Sequence, residues 1–331
     1  MIFYLFFILI LNFLFFKYNY KIAKSLNLFD NPDNFRKIHN VPVPLTGGII
    51  ILLNILALLI FLYFSKSYID NFEIFLNKKD LFIFLASILL FFFIGLFDDK
   101  YEISANKKFL IMLLSLIPII ILSGDLIIKE IRVSFLEIEY SLPYYVSIFW
   151  TVLCFLLFLN ALNMFDGINY QVCFFSIYIC VFFIINNYFL IFFIFVLISL
   201  INFFILNHRN KAFLGDNGSY LLAFIFSYLF VKIYNQEQTL DSDHIFLIMI
   251  IPGIDLIRLF IVRISKGNNP FTPDRDHFHH ILLKKYNLIN VNIIIQSLII
   301  IPSLGGFYFG YTFIFLCVQL LIYFFLIFFL K

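Results

Sequence analysis

Residues 81–99 read LFIFLASILLFFFIGLFDD, a run of seventeen uncharged residues that ends on two adjacent aspartates. A helix rises 1.5 Å per residue and the hydrocarbon core of a bilayer is about 30 Å thick, so a run of this length approaches one crossing. A second uncharged run fills residues 189–206. The whole chain follows suit. Of its 331 residues 63% are hydrophobic and only 13% are charged, with mean hydropathy +1.00. A soluble domain carries about 25% charged residues, so the soluble classes are excluded. The expected fold is an all-α polytopic membrane protein.

Eleven spans are predicted, at 1–16, 47–64, 81–97, 109–123, 143–163, 170–186, 188–206, 219–234, 244–263, 291–308 and 311–330. The first is not read as a cleavable signal, because no positive segment precedes it. The connections are short and no repeat or linker is visible, so residues 1–331 are read as a single integral-membrane domain. The net charge of +3 is small, and its placement matters more than its size. Lys and Arg concentrate in alternate connections, at 17–46, 98–108, 207–218 and 263–290. The positive-inside rule then puts the N-terminus outside and the C-terminus in the cytoplasm. The outside segment 125–141 alternates polar and apolar residues and predicts a small periplasmic hairpin. Cys154, Cys173, Cys180 and Cys317 lie in apolar runs without a CxxC pair, so no disulfide framework is expected.

The inside connections carry nearly all the unusual polar clusters. Residues 30–48 hold Arg36, Lys37 and His39, then prolines, then Gly47-Gly48, where bare backbone can approach a ligand. Asp98 and Asp99 sit at a span mouth, with Lys108 beyond; two neighbouring carboxylates call for solvent or a cation. Asn160, Asn163, Asp166 and Asn169 recur every three residues, a polar stripe on a helix that suits a wet site. Gly215-Asp216-Asn217-Gly218-Ser219 precedes a span and offers a carboxylate together with backbone N–H groups. Arg275, His277, His279 and His280 close the series. Zinc is one reading of the histidines, but the rest of the set is oxygen-rich, which suits Mg²⁺ or Mn²⁺ and phosphate. Asp255 and Arg258, i and i+3 inside a span, are read as a structural ion pair.

Together these pieces resemble the polyprenyl-phosphate N-acetylhexosamine-1-phosphate transferases of the glycosyltransferase 4 family. The resemblance rests on five ordered motifs: Arg36-Lys37-x-His39 with Gly47-Gly48; Gly95-x-x-Asp98-Asp99 with Lys108; Asn160-x-x-Asn163-x-x-Asp166-Gly167; Gly215-Asp216-x-Gly218-Ser219; and Pro273-Asp274-Arg275-Asp276-His277-x-His279-His280. The His-x-His-His form is similar to the branch using UDP-N-acetylglucosamine or related sugars. The peptidoglycan-precursor branch has three consecutive histidines instead.

The resemblance implies transfer of a sugar-1-phosphate from a UDP-sugar to polyprenyl phosphate, with release of UMP, at the cytoplasmic face of a bacterial inner membrane. It implies Mg²⁺ or Mn²⁺ on Asp216 with Asn163 beside it, and catalytic roles for Asp98, Asp99 and Asp166. Lys37, His39, Gly47, Gly48, Lys108, Asn160, Asn169, Gly215, Ser219, Arg275, His277, His279 and His280 are the implied substrate-binding set. One-step displacement and a two-step path through an aspartyl-phosphate are both open. The expected partners are the UDP-sugar, the polyprenyl phosphate and the bilayer, with no nucleic acid and with a homodimer left open. One departure stands out: relatives continue Asp-Gly-x-Asp-Gly, whereas this chain reads Asp166-Gly167-Ile168-Asn169-Tyr170. A secondary transporter of an anionic solute and an inactive scaffold of the same fold are the alternative readings.

Overall fold

The computed structural model describes residues 2–32, 41–64, 78–236, 239–267, 269–270 and 275–330. The chain forms two compact units, each built from two separated stretches: Met1–Ile103 with Val172–Leu222, and Ser104–Gln171 with Ala223–Lys331.

The first unit holds α1 (Ile2–Leu26), α2 (Gly47–Phe64), α3 (Lys78–Tyr101), α6 (Gln171–Ile185) from Val172 onward, α7 (Leu190–His208) and the first turns of α8 (Gly215–Gln236). A two-residue antiparallel ladder joins β1 (Phe29–Asp30) to β2 (Val43–Pro44). Helices α1, α2 and α7 pack on one another. In the apolar interior between them the Asn12 and Asn54 amides exchange hydrogen bonds of 2.9 Å, and Asn202 donates to Asn12 Oδ1 at 2.8 Å. Lipid offers no competing partner, so such amides fasten helices together, at ~1 kcal/mol each.

The second unit holds α4 (Ala105–Ser123), strands β3 (Glu130–Val133) and β4 (Ile138–Ser141), α5 (Tyr144–Phe165), the rest of α8, α9 (Ser242–Ser265), the short α10 (Phe278–Leu283), α11 (Leu288–Phe309) and α12 (Thr312–Leu330). Helix α9 is the hub, packing on α5, α11 and α12. The predicted hairpin is present, with β3 antiparallel to β4. Arg132 latches it: the guanidinium lies 4.0 Å over the Tyr234 ring and donates to Asp241 at 3.1 Å.

Eight helices among the described residues are long and apolar enough to cross a membrane, and α2 and α6 add shorter apolar helices. Each predicted span falls on a helix. One boundary and the extent of the polar stripe differ from the expectation. Helix α1 does not stop at Phe16 but runs through Lys17, Lys21 and Lys24 to Leu26. Lysine is a good helix former and its long stem keeps the charge in water. The stop comes at Asn27, whose φ of +54° allows the Leu28 N–H to reach back to Ala23 O at 3.0 Å, a left-handed cap. Helix α5 ends at Phe165, with Asp166 as its C-cap. Asn160 and Asn163 therefore share the helical stripe, while Asn169 lies in the turn beyond it.

Candidate functional site

In the first unit the polar residues gather where three helix ends meet. Asp99, in the last turn of α3, accepts the Asp216 N–H at 2.8 Å on one oxygen and the Asn217 N–H at 3.0 Å on the other, and also the Asn217 side-chain amide. The first N–H groups of a helix have no partner inside it. A carboxylate placed against them, at the positive end of the helix dipole, caps the helix from outside its own sequence. Asn217 then reaches Leu45 O at 3.1 Å with the same amide. Its Oδ1 is buried without a hydrogen-bond partner among the described residues. Gly215 enters α8 at φ +75°, and a Cβ there would lie 2.8 Å from Asp99 Oδ2.

Asp98 is buried and turns the other way. Its Oδ1 accepts the Ile103 N–H at 2.9 Å and closes the end of α3. Gly47 and Gly48 meet another stretch of this chain, where the sequence had suggested a ligand. Their N–H groups donate to Phe213 O at 3.0 Å and Leu214 O at 3.2 Å. Ser219 is likewise fully buried, and its hydroxyl donates to Asp216 O at 3.3 Å within α8. Asp216 itself is half-buried in the first turn of α8. Lys37 and His39 lie outside the described residues.

In the second unit Lys108 stands in the first turn of α4, half-buried. Asn160 spends its amide on Leu156 O at 2.7 Å, one turn back. Asn163 and Asp166 are half-buried at the end of α5. The turn that follows is pinned by α11: Asn292 donates to Asn169 O at 3.1 Å and Gln296 to Gln171 O at 2.9 Å. Tyr170 sits at φ +75°. A residue with a side chain adopts this left-handed conformation at a cost of about 1–2 kcal/mol that glycine does not incur. Tyr170→Gly is therefore expected to melt higher than Tyr170→Ala, by the equivalent of ~1 kcal/mol. Both variants lack the ring, so a comparison of their thermal transitions isolates the backbone, and equal melting would remove the strain.

The histidine segment is the most elaborately held part of this unit. Asp255, buried in α9, receives Arg258 at 2.7 Å, the Tyr323 hydroxyl at 2.8 Å, the Phe278 N–H at 3.2 Å and His277 Nδ1 at 3.2 Å. Arg258 also donates to Asp276 O at 2.6 Å. The expected ion pair exists, but it does more than neutralise itself: it seats the segment that carries the histidines. The rings of His277 and His279 stack at 5.3 Å, and His279 meets His280 edge-on at 4.4 Å. His279 is buried, its Nε2 has no hydrogen-bond partner among the described residues, and that atom lies against Gly167, within the space a side chain there would need. Burial, and then the neighbouring His280 and His277, hold its pKa well below the ordinary histidine value. Arg275 is exposed at the start of the segment.

Asp241, Asp243 and His244 also bring three possible metal-ligand atoms within 4.8 Å of one another. Their polar atoms are already committed. Arg132 holds Asp241, Ser134 holds both oxygens of Asp243, and His244 Nδ1 accepts the Asp241 N–H. This is the cap of α9 and the seat of the hairpin, about 20 Å along the helix from Asp255.

Comparison with known proteins bears on these same residues. Residues 81–234 match the model of glycosyl transferase family 4. The resemblance read from the sequence is thereby borne out. The matched segment contains Asp98, Asp99, Lys108, the 160–169 motif and the Gly215–Ser219 motif. Over 285 residues the chain is 28% identical to an undecaprenyl-phosphate alpha-N-acetylglucosaminyl 1-phosphate transferase of Escherichia coli O157:H7, covering 80% of this chain and 71% of that protein. The enzyme of the same name from Yersinia pestis is 26% identical over 290 residues, 80% of this chain and 72% of that protein. That of Pasteurella multocida is 32% identical over 95 residues, 27% of each.

Proposed function

We propose that this multi-pass membrane protein transfers N-acetylglucosamine-1-phosphate, or a related N-acetylhexosamine-1-phosphate, from a UDP-sugar to undecaprenyl or another polyprenyl phosphate. UMP is released, and the product begins a lipid-linked cell-envelope glycan at the cytoplasmic face of a bacterial membrane. The relatives' names supply the chemistry. The observation in this chain that supports it best is the α8 N-terminus, which Asp99 holds so that Asp216 stands in the first turn.

An oxygen of the lipid phosphate attacks the β-phosphorus of the UDP-sugar. The new P–O bond forms as the bond to the bridging anhydride oxygen breaks, and UMP leaves with that electron pair. One anhydride replaces another, so the step is close to thermoneutral. A phosphate monoester has a second pKa near 6, so the nucleophile needs little help from a base. Asp98 and Asp99 have their carboxylates engaged by Ile103, Asp216 and Asn217, which argues against either as a covalent nucleophile and favours the single displacement. Asp99 becomes a positioning residue in this reading.

Mg²⁺ or Mn²⁺ fits the Asp216 carboxylate, a hard oxygen donor that would hold it in the first unit; Asn163 and Asp166 are oxygen donors of the same kind in the second. A bound divalent ion would neutralise the pyrophosphate oxygens. Lys108, Arg275, His277 and His280 are the second unit's candidates for binding phosphate, and Asn169 for contact with the donor.

The test is UMP release by purified protein in detergent, with polyprenyl phosphate and a panel of UDP-N-acetylhexosamines. Turnover with at least one donor is expected, abolished by EDTA and restored by Mg²⁺ or Mn²⁺. Absence of UMP release with every donor would sink the proposal, and full turnover in EDTA would remove the metal from it.

A further inference from the structure

We propose that Asp255 is a positioning residue that fixes the orientation and tautomer of His277, with Nδ1 carrying the proton of the neutral ring and Nε2 turned out, so that the ring once charged donates from Nε2 to a phosphate oxygen of the donor. The second half of this statement rests on the proposed function; the first does not.

Four kinds of donor converge on one buried carboxylate. Asp255 Oδ1 receives Arg258 Nη2 at 2.7 Å and Nε at 3.3 Å, and the Tyr323 hydroxyl at 2.8 Å. The Phe278 N–H lies 3.2 Å from both oxygens, and His277 Nδ1 lies 3.2 Å from Oδ2. A carboxylate paired with a guanidinium only accepts, so the imidazole nitrogen facing it has to donate. That assigns the proton to Nδ1 and leaves Nε2 with its lone pair, or with a second proton when the ring is charged. The same network stops the ring from turning. Arg258 holds Asp276 O at 2.6 Å on one side of His277, and on the other Phe278 is gripped through its N–H and packs on Tyr323 at 4.8 Å. Tyr323 is fully buried, so α12 serves as a wall for this network.

A capping role alone would account for the Phe278 N–H. It would not account for the contact to the imidazole, nor for an arginine and a tyrosine spent on orienting the acceptor. Outer partners of this kind typically matter by 10–100-fold in activity when removed.

The experiment uses the full chain in detergent, with histidine labelled by ¹⁵N; the protein has six histidines, and His277→Gln assigns the resonance. Wild-type His277 is expected to show a protonated Nδ1 and an unprotonated Nε2 above the histidine titration range. In Asp255→Asn, whose amide can turn a donor toward the ring, that preference is expected to be lost. This reading does not depend on any activity, so it stands apart from the proposed function. Kinetically, Asp255→Asn is expected to lower kcat about 10–100-fold, and the double variant Asp255→Asn/His277→Gln to lose no more than His277→Gln alone. Losses that multiply would show that Asp255 acts through the fold and not through His277. A neutral wild-type His277 that carries its proton on Nε2 and leaves Nδ1 bare would overturn the proposal outright, even if Asp255→Asn failed to fold.

Discussion

Asp216→Asn is expected to lower kcat at least ~100-fold, the scale of one preorganised electrostatic group, while its melting temperature stays that of the wild type. The two effects separate because the fold uses the backbone of this residue. Asp99 is bonded to the Asp216 N–H, which asparagine keeps. Asp99→Asn should behave differently. One of its oxygens becomes an NH₂ facing the Asp216 and Asn217 N–H groups, so a donor is set against donors. A hydrogen bond to a charged acceptor contributes about 1.5–3 kcal/mol, so this variant should lose both activity and about 2 kcal/mol or more of stability. Steady-state UMP release and a thermal melt on the same samples decide the matter. An active Asp216→Asn would refute the metal assignment. An Asp99→Asn that melts like the wild type would refute the external cap.

Gly95→Ala and Gly48→Ala are expected to be among the most damaging methyl additions in the chain. A Cβ on Gly95 would lie 2.5 Å from Asn217 N and closer still to the Asp216 carbonyl. On Gly48 it would lie 2.5 Å from Gly218 Cα and closer to Asn217 Oδ1. Nearly all of these are backbone atoms, which cannot rotate away, so the start of α8 has to move. Overpacking typically costs 1–3 kcal/mol, and ~3 kcal/mol or more is expected here, with activity lost as well. Gly253→Ala is the control. A methyl at that position in α9 meets open space, and alanine is the better helix former. If all three variants melt together, α2 and α3 do not approach α8 as closely as described.

Much of this protein is legible along the chain. Uncharged runs such as 81–97 have to be helices that cross a membrane, because lipid leaves backbone polar groups no other partner. The hairpin at 130–141 was visible from its alternation. The motif residues were found because charge and amide groups are costly beside lipid and so stand out. The ends of elements were less legible. Lysines extend α1 past Phe16, since their stems are indifferent to the boundary that hydropathy draws. The four-residue polar stripe is broken before Asn169, since a helix end is decided by local backbone contacts that a three-residue spacing does not reveal.

The sequence by itself determined that this is a helical membrane protein, which residues are chemically conspicuous, and which family they resemble. The tertiary structure decided what those residues touch. Asp99 and Asn217 are 118 positions apart, and Asp255 and Tyr323 are 68. No periodicity encodes a contact between segments so far apart. Asp98 and Asp99 look alike as neighbours, yet one closes its own helix and the other caps another helix. Asp255 and Arg258 read as a self-sufficient ion pair at i and i+3, and only the folded chain brings His277 and Tyr323 to the same carboxylate. The physical reason is that spacing fixes the face a side chain occupies on its own helix, whereas its partner is fixed by which other helix end packs there.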